Sequence, residues 1–504
     1  VATVLGIDLG TQSLKAVFYD YSGKRIAAEA SAPLDVRRDD HGKAEQEADW
    51  WRKALADALG KVDAGIRKSV RAIGVSGQQH GFVALDRDGA VLAPVKLWCD
   101  TSTGDEVDEI TAACGGRERC IEVAGNPVLT GYTAPKILWL RKNHPESYAR
   151  MTHVLLPHDY VNFLMTGERV MEYGDASGTA LLDIRSRQWS PEMIRAVDPE
   201  GNLEKKLPPL VGDDEFIGVT SETFAEAYGL PAGIPVAPGG GDNMMAAIGT
   251  GNVTPGRLTM SLGTSGTLFA FSETPVIDDA GNIAAFCSST GGWLPLLCTM
   301  NCTLATELVR APLGVTTADF DETIGAVKAG SGGLVVLPFF SGERTPNLPR
   351  ANASILGLTA GNCDRGHLLR ATAEGATFGM RFGLDELRRL GHESSEIVLT
   401  GGGSKSREWC QIVADVCRLP VSRLEQEEGA SFGAALQALW LLQKQNAAAL
   451  ELGEIVEHHL ERREGSSLSP VQDNADRYDE VYGAYRRAVD QVATQFQESM
   501  EQSQ

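Results

Sequence analysis

"LGIDLGTQSLKAVFYD", residues 5–20, reads as two β-type runs joined by a bend at Gly10-Thr11, the pattern of a hairpin. A hairpin needs only a turn there, yet the stretch also carries Asp8 and small or polar residues at Gly10, Thr11 and Gln12. A near copy, "LTMSLGTSGTLFAF", occupies residues 258–271, with Gly263, Thr264 and Ser265 in its bend and Ser261 where the first copy has Asp8. Gly10 and Gly263 stand 253 residues apart in a chain of 504, so two copies imply two similar domains. Leu-Gly-Thr is a short string and turns favour glycine, so the string alone leaves coincidence open.

The context decides. Each bend is free of bulky side chains and exposes consecutive backbone N–H groups and hydroxyls, the components of a phosphate-binding nest. Two such bends facing across a cleft would hold a polyphosphate from both sides. A carboxylate that close to phosphates repels them unless a cation intervenes, so Asp8 points to Mg²⁺, held directly or through water. A turn-capping carboxylate is the structural alternative.

The length predicts two or three domains. A net charge of −21 disfavours nucleic acid or an anionic membrane as partner, and directs the search for an anion site to glycine-rich amide cradles. The nine cysteines are scattered without a Cys-x-x-Cys, which supports neither a disulfide framework nor a zinc site. No stretch approaches the roughly 20 apolar residues of a membrane span, and no secretory signal core opens the sequence, so a cytoplasmic protein is expected.

Outward from the first hairpin, Trp51, Ala54, Leu55, Ala58, Leu59 and Val62 recur at helical spacing, and "IGVSGQQHGFVAL" at 73–85 reads as a second hairpin with Gln79 and His80 in its bend. The segment 229–251 packs seven glycines and three prolines into 23 residues, and this shift sets the expected domain boundary between 233 and 234. Beyond it, Ala371, Gly375, Phe378 and Phe382 mark a buried helical face, and "IVLT" followed by three glycines reads as strand, turn and helix. Tyr478, Val481, Tyr485, Val489, Val492 and Phe496 form one stripe of a terminal helix, suited to packing or to a homodimer contact.

Neither a Walker-type G-x-x-x-x-G-K-[ST] nor a full G-x-G-x-x-G occurs. "GASFG" at 429–433 satisfies the nucleophile-elbow pattern, but "RLEQEE" precedes it where a buried strand is required, so a helix start with a close-packed glycine is the better reading.

With "GQQHG", "LWCD", "YTAPKILWL", "GGGDN", "FSGERTP", "SILGL", "HLLRATAEG" and "LTGGGSKS" in this order, the sequence resembles the FGGY carbohydrate kinases, most of all their xylulokinase branch. The resemblance implies an α/β fold of two ribonuclease H-like, actin-like ATPase domains (1–233 and 234–504) flanking a deep catalytic cleft. It also implies ATP and Mg²⁺ as cosubstrates, and transfer of the γ-phosphoryl group to D-xylulose. Ribulose, glycerol or another polyol is the alternative acceptor, and a sugar or nucleotide sensor without turnover the alternative class. By the resemblance Asp242 is the general base, with Gln79, His80, Trp98 and Asn243 on the sugar. Gly10, Thr11, Gln12, Gly263, Thr264, Ser265, Gly402, Gly403 and Ser406 fall to ATP, and Asp8 to the metal. A plain turn with Asp242 as N-cap would look similar. Gln79, Cys99 and Cys302 depart from the common pattern, which touches the sugar and the nucleotide contacts.

Overall fold

The computed structural model describes residues 2–427, 429–445 and 450–501, with side chains as far as residue 494. Strand β1 (Thr3–Leu9) is buried throughout except at Asp8, as expected of a strand covered on both faces. It pairs antiparallel with β2 (Ser13–Asp20), which pairs with β3 (Arg25–Pro33), so the opening hairpin is as expected. Helix α1 (Ala48–Gly60) buries Trp51, Ala54, Leu55, Ala58 and Leu59 and leads to β4 (Val70–Gly77), which runs parallel to β1. Short strands β5 (Gly218–Val219), β6 (Pro235–Val236) and β7 (Gly240–Gly241) complete a sheet of order β5-β6-β4-β1-β2-β3, with β7 also on β4.

The second sheet repeats the plan. β8 (Gly256–Leu262), β9 (Gly266–Ala270) and β10 (Leu296–Thr299) form an antiparallel meander. β11 (Ser394–Thr400) lies parallel to β8, and β12 (Val421–Ser422) parallel to β11. The order β10-β9-β8-β11-β12 matches β3-β2-β1-β4-β6 strand for strand. Register repeats as well: Asp8 stands opposite Ser76, and Ser261 opposite Thr400. Because β4 is parallel to β1, the loop after β4 opens at the same sheet edge as the 10–12 bend, and the loop after β11 does so beside 263–265. This is the carboxyl end of the strands, where open α/β sheets bind ligands.

One expectation changes. Residues 73–85 are not a hairpin, since β4 pairs with the distant β1 and residues 83–85 pair with 153–155 in another sheet. The glycine-rich stretch, where the boundary at 233/234 was expected, supplies β6 and β7 to the first sheet, its glycines serving close strand packing.

The helices that matter to the site are α2 (Thr133–Asn143), α3 (Pro157–Thr166) and α4 (Tyr173–Ala176) in the first lobe, then α5 (Asp242–Gly249) and α6 (Thr303–Arg310). They are followed by α7 (Arg365–Arg389), α8 (Arg407–Cys417), α9 (Gly429–Gln445) and α10 (Gln472–Glu501). α7 buries the face predicted for it, and Tyr478 and Tyr485 of α10 pack on Phe378 with ring centroids 6.0 and 5.4 Å away. The α10 stripe through Val492 is thus buried inside the second lobe instead of being offered to another copy; the side chain of Phe496 lies outside the described residues. α9 follows the second sheet in sequence but lies on the first. A Cβ at Gly6 or Gly74 would overlap the carbonyl oxygens of Ser431 or Ala434, and one at Gly433 that of Met245 in α5. Ser431 is buried, so "GASFG" is a helix crossing and no nucleophile elbow. Among the described residues no helix is long and apolar enough to cross a membrane.

Candidate active site

The 10–12 bend is tied into a polar chain. Thr11 Oγ1 accepts from Trp98 Nε1 at 2.9 Å and donates to Gln78 Oε1 at 2.9 Å, while Gln78 Nε2 donates to Gln46 Oε1 at 2.8 Å. Trp98 is half-buried, with its indole N–H committed to this bend. Asp8 accepts from Ser76 Oγ at 2.7 Å, its neighbour across the parallel pair. Gln12 is exposed, and its carbonyl accepts from the Leu34 N–H.

Gln79 and His80 follow β4 directly. The Gln79 side chain is buried, and its Oε1 accepts from Asn243 Nδ2 at 2.7 Å. Its Nε2 is buried and has no partner among the described residues, a donor that a hydroxyl of a bound ligand would satisfy. His80 packs edge-on to Tyr132 at 5.0 Å and beside Phe286 at 5.6 Å. Burial first, then the charges of Lys136 and Arg344, hold its imidazole well below the usual histidine range, so it is neutral.

Asp242 is the first residue of α5, with Gly241 as the N-cap. Its Oδ1 accepts from the Asn243 N–H at 2.8 Å and from Asn243 Nδ2 at 3.1 Å, and the residue is half-buried. Its carboxyl is pushed up to about 8, first by burial, then by the carboxylates of Asp8 and Asp175. A carboxyl raised in this way is suited to taking up a proton from a hydroxyl. Among the described residues no group of three or more His, Cys, Asp or Glu gathers as a metal cage. Mg²⁺ characteristically takes one or two carboxylates and fills its shell with water and substrate phosphates, a demand that Asp8 can meet.

A cavity of about 280 Å³ is lined by Lys15 of β2 and by Thr400, Gly401, Gly402, Ser404 and Lys405. Both lobes contribute to it. Gly402 is exposed there, whereas Gly403 is buried, a Cβ on it coming within 2.8 Å of Leu262. Ser406 caps α8, accepting from the Trp409 N–H at 3.0 Å, and its hydroxyl donates to Asp321, so that hydroxyl is committed within the second lobe. In the second bend, Thr264 is exposed, and the carbonyls of Gly263 and Thr264 accept from the first amides of α6 and from Cys302. Cys302 is fully buried in the core of this lobe, which explains its presence as packing; Cys99 is half-buried, 3.6 Å from Arg38 Nη2.

The family model for the N-terminal domain of the FGGY family of carbohydrate kinases matches residues 3–249, and that for the C-terminal domain residues 258–442. The chain belongs to this family. The kinase is 40% identical over 97% of its length to a xylulose kinase from Haemophilus influenzae, covering 99% of it. A xylulose kinase from Streptomyces coelicolor is 35% identical over 94% of this chain and 93% of its own. The crystal structure of a xyloylose kinase from Brucella ovis superposes with a TM-score of 0.90 at 32% identity, covering 98% of this chain and 99% of that one. The two lobes are therefore those of a sugar kinase of the actin-like ATPase fold.

Sequence reading left out residues that the kinase places at the site. Lys15 had a usable signal: it is the cross-strand partner of Asp8, and directly opposed residues share a sheet face. Arg344, in "FSGERTP", brings a second-lobe charge to bear on His80, Tyr132 and Cys298. Its loop is anchored by Glu343, which accepts from the N–H groups of Met300 at 2.6 Å and Arg344 at 2.8 Å. No local pattern announces that long-range arrangement.

Proposed function

We propose that this kinase transfers the γ-phosphoryl group of ATP to D-xylulose, giving D-xylulose 5-phosphate, with Asp242 as general base. The observation that carries the reading is the side-by-side placement of Asp242, Asn243 and Gln79, with a buried Gln79 donor still to be satisfied and a carboxyl poised for a proton. Phosphoryl transfer asks mainly for positioning and charge stabilisation, and the attacking hydroxyl finally loses its proton. Asn243 and Gln79 orient the ketose, neutral His80 offers it a hydrogen bond, and Trp98 offers an apolar face to its C–H groups. Asp242 takes the proton of the attacking hydroxyl. The 10–12 and 263–265 bends, with Lys15 and Gly402, receive the nucleotide. Asp8 would hold Mg²⁺, which when bound neutralises charge on the phosphates. Closure of the lobes would exclude the water that competes for the phosphoryl group. The division between lobes falls between residues 249 and 256, and the nine cysteines, none in a disulfide, suit a reducing cytoplasm.

Relatives named xylulose kinase support the choice of acceptor. A coupled ADP-release assay across D-xylulose, D-ribulose, xylitol and glycerol tests it, with the highest kcat/KM expected for D-xylulose. A higher value for another acceptor replaces the ketose. Binding of sugar and ATP without ADP release from any of them makes the protein a sensor.

A further inference from the structure

Behind the Gln79-His80 turn lies a set of buried charges that phosphoryl transfer does not use. Lys136 of α2 is fully buried, and its ammonium donates to the His80 carbonyl at 2.7 Å and to the Gly131 carbonyl at 2.7 Å. Thr133 Oγ1 donates to the same His80 carbonyl at 3.2 Å. A buried carboxylate, Asp175, lies near the same residue. Asp175 is itself bound by His158 Nδ1 at 2.9 Å, and His158 Nε2 lies 3.0 Å from Asp159 Oδ1, all three side chains being buried. The His158 backbone sits against the end of β4, where a Cβ on Gly77 would come within 2.8 Å of its nitrogen.

A buried ammonium is expensive: burial draws the Lys136 group down to about 7. A methionine of similar volume would fill the space without that penalty. What the charge does here is to hold two carbonyls at once, and both belong to residues that shape the sugar wall. His80 has φ 64°, the left-handed region, which a residue with a Cβ adopts only where its surroundings impose it. Gly131 precedes Tyr132, whose ring meets that of His80.

We propose that Lys136 is a positioning device: with Thr133 it grips the carbonyl of His80 while holding that of Gly131, and so aims the His80 ring and the Gln79 amide at the sugar. The idea rests on the Gln79-His80 turn being the sugar site.

Steady-state kinetics of the full chain with D-xylulose and ATP test it. Lys136→Met keeps the volume and removes both hydrogen bonds, and is expected to raise KM for the ketose about tenfold or more while KM for ATP stays within about twofold. An unchanged ketose KM, or an equal rise in both, overturns the clamp. Should Lys136→Met fail to fold, Thr133→Val, which removes only the longer bond, decides. It is expected to raise the ketose KM by roughly two- to fivefold with that for ATP unmoved, and no change in the ketose KM overturns the proposal. Gln79→Ala separates the two levels. If it leaves the ketose KM unchanged, the turn is not the sugar site; if it raises that KM and the clamp variants do not, the clamp alone fails.

Discussion

Replacing Asp242 with asparagine preserves the shape of the side chain and an oxygen for the Asn243 N–H, and removes the carboxylate that accepts a proton. Loss of a general base typically costs a factor of about 10²–10⁴ in rate, or about 3–5 kcal/mol of barrier. The same substitution also acts on stability, with a definite sign. The carboxyl is raised from 3.8 to about 8 in the folded chain. Folding therefore favours its protonated form, and the associated stability is complete below about pH 4 and lost as pH rises through about 8. Ionising it could cost at most about 6 kcal/mol, which partial access to cleft water screens to about 2–3 kcal/mol. Asparagine escapes this cost because it does not ionise. Asp242→Asn is thus expected to lose most turnover, to match the parent in stability near pH 4.5, and to exceed it by about 2–3 kcal/mol near pH 9. An ADP-coupled assay and urea denaturation at the two pH values measure both effects. Turnover within tenfold of the parent removes Asp242 from the mechanism, and a stability difference that does not change with pH refutes the electrostatic argument.

Two further outcomes follow from the same geometry. Asp8→Asn should raise the Mg²⁺ concentration for half-maximal rate at least about tenfold, since Mg²⁺ depends on one or two carboxylates plus phosphate; a metal titration with unchanged midpoint would assign Asp8 to the turn alone. Gly433→Ala forces a methyl group onto the Met245 carbonyl, and should destabilise the chain by about 3 kcal/mol; an unshifted urea midpoint would mean that α5 and α9 do not cross so closely.

The two hairpins were legible because alternation with a period of two and a small-residue turn are local signals, and the bends lie where they were expected. Non-local pairing was not. β4 has its partner in β1, nearly seventy residues upstream, and nothing within 73–85 distinguishes a strand that pairs with a neighbour from one that pairs with β1. At 229–251, where composition suggested a domain boundary, glycine permits close strand approach. Of the candidate site, Asp242, Asn243, Gln79 and Trp98 stand in the motifs that carry the family resemblance, although Gln79 itself and Cys99 beside Trp98 depart from the common pattern. Ser406 and Gly403 turned out to be committed to a helix cap and to core packing. Lys136 escaped because its partners are the backbone carbonyls of His80 and Gly131, and a side chain that serves a distant peptide leaves no spacing to read.

The resting place of α9 has a bearing on how such a chain could have arisen and how it can be cut. The internal duplication is not a tandem of exchangeable cassettes, since the first copy is roofed by a segment encoded after the second. A fragment ending near residue 250 would bare the glycine-paved face of its own sheet, so split versions should become soluble and active only when both pieces are made together.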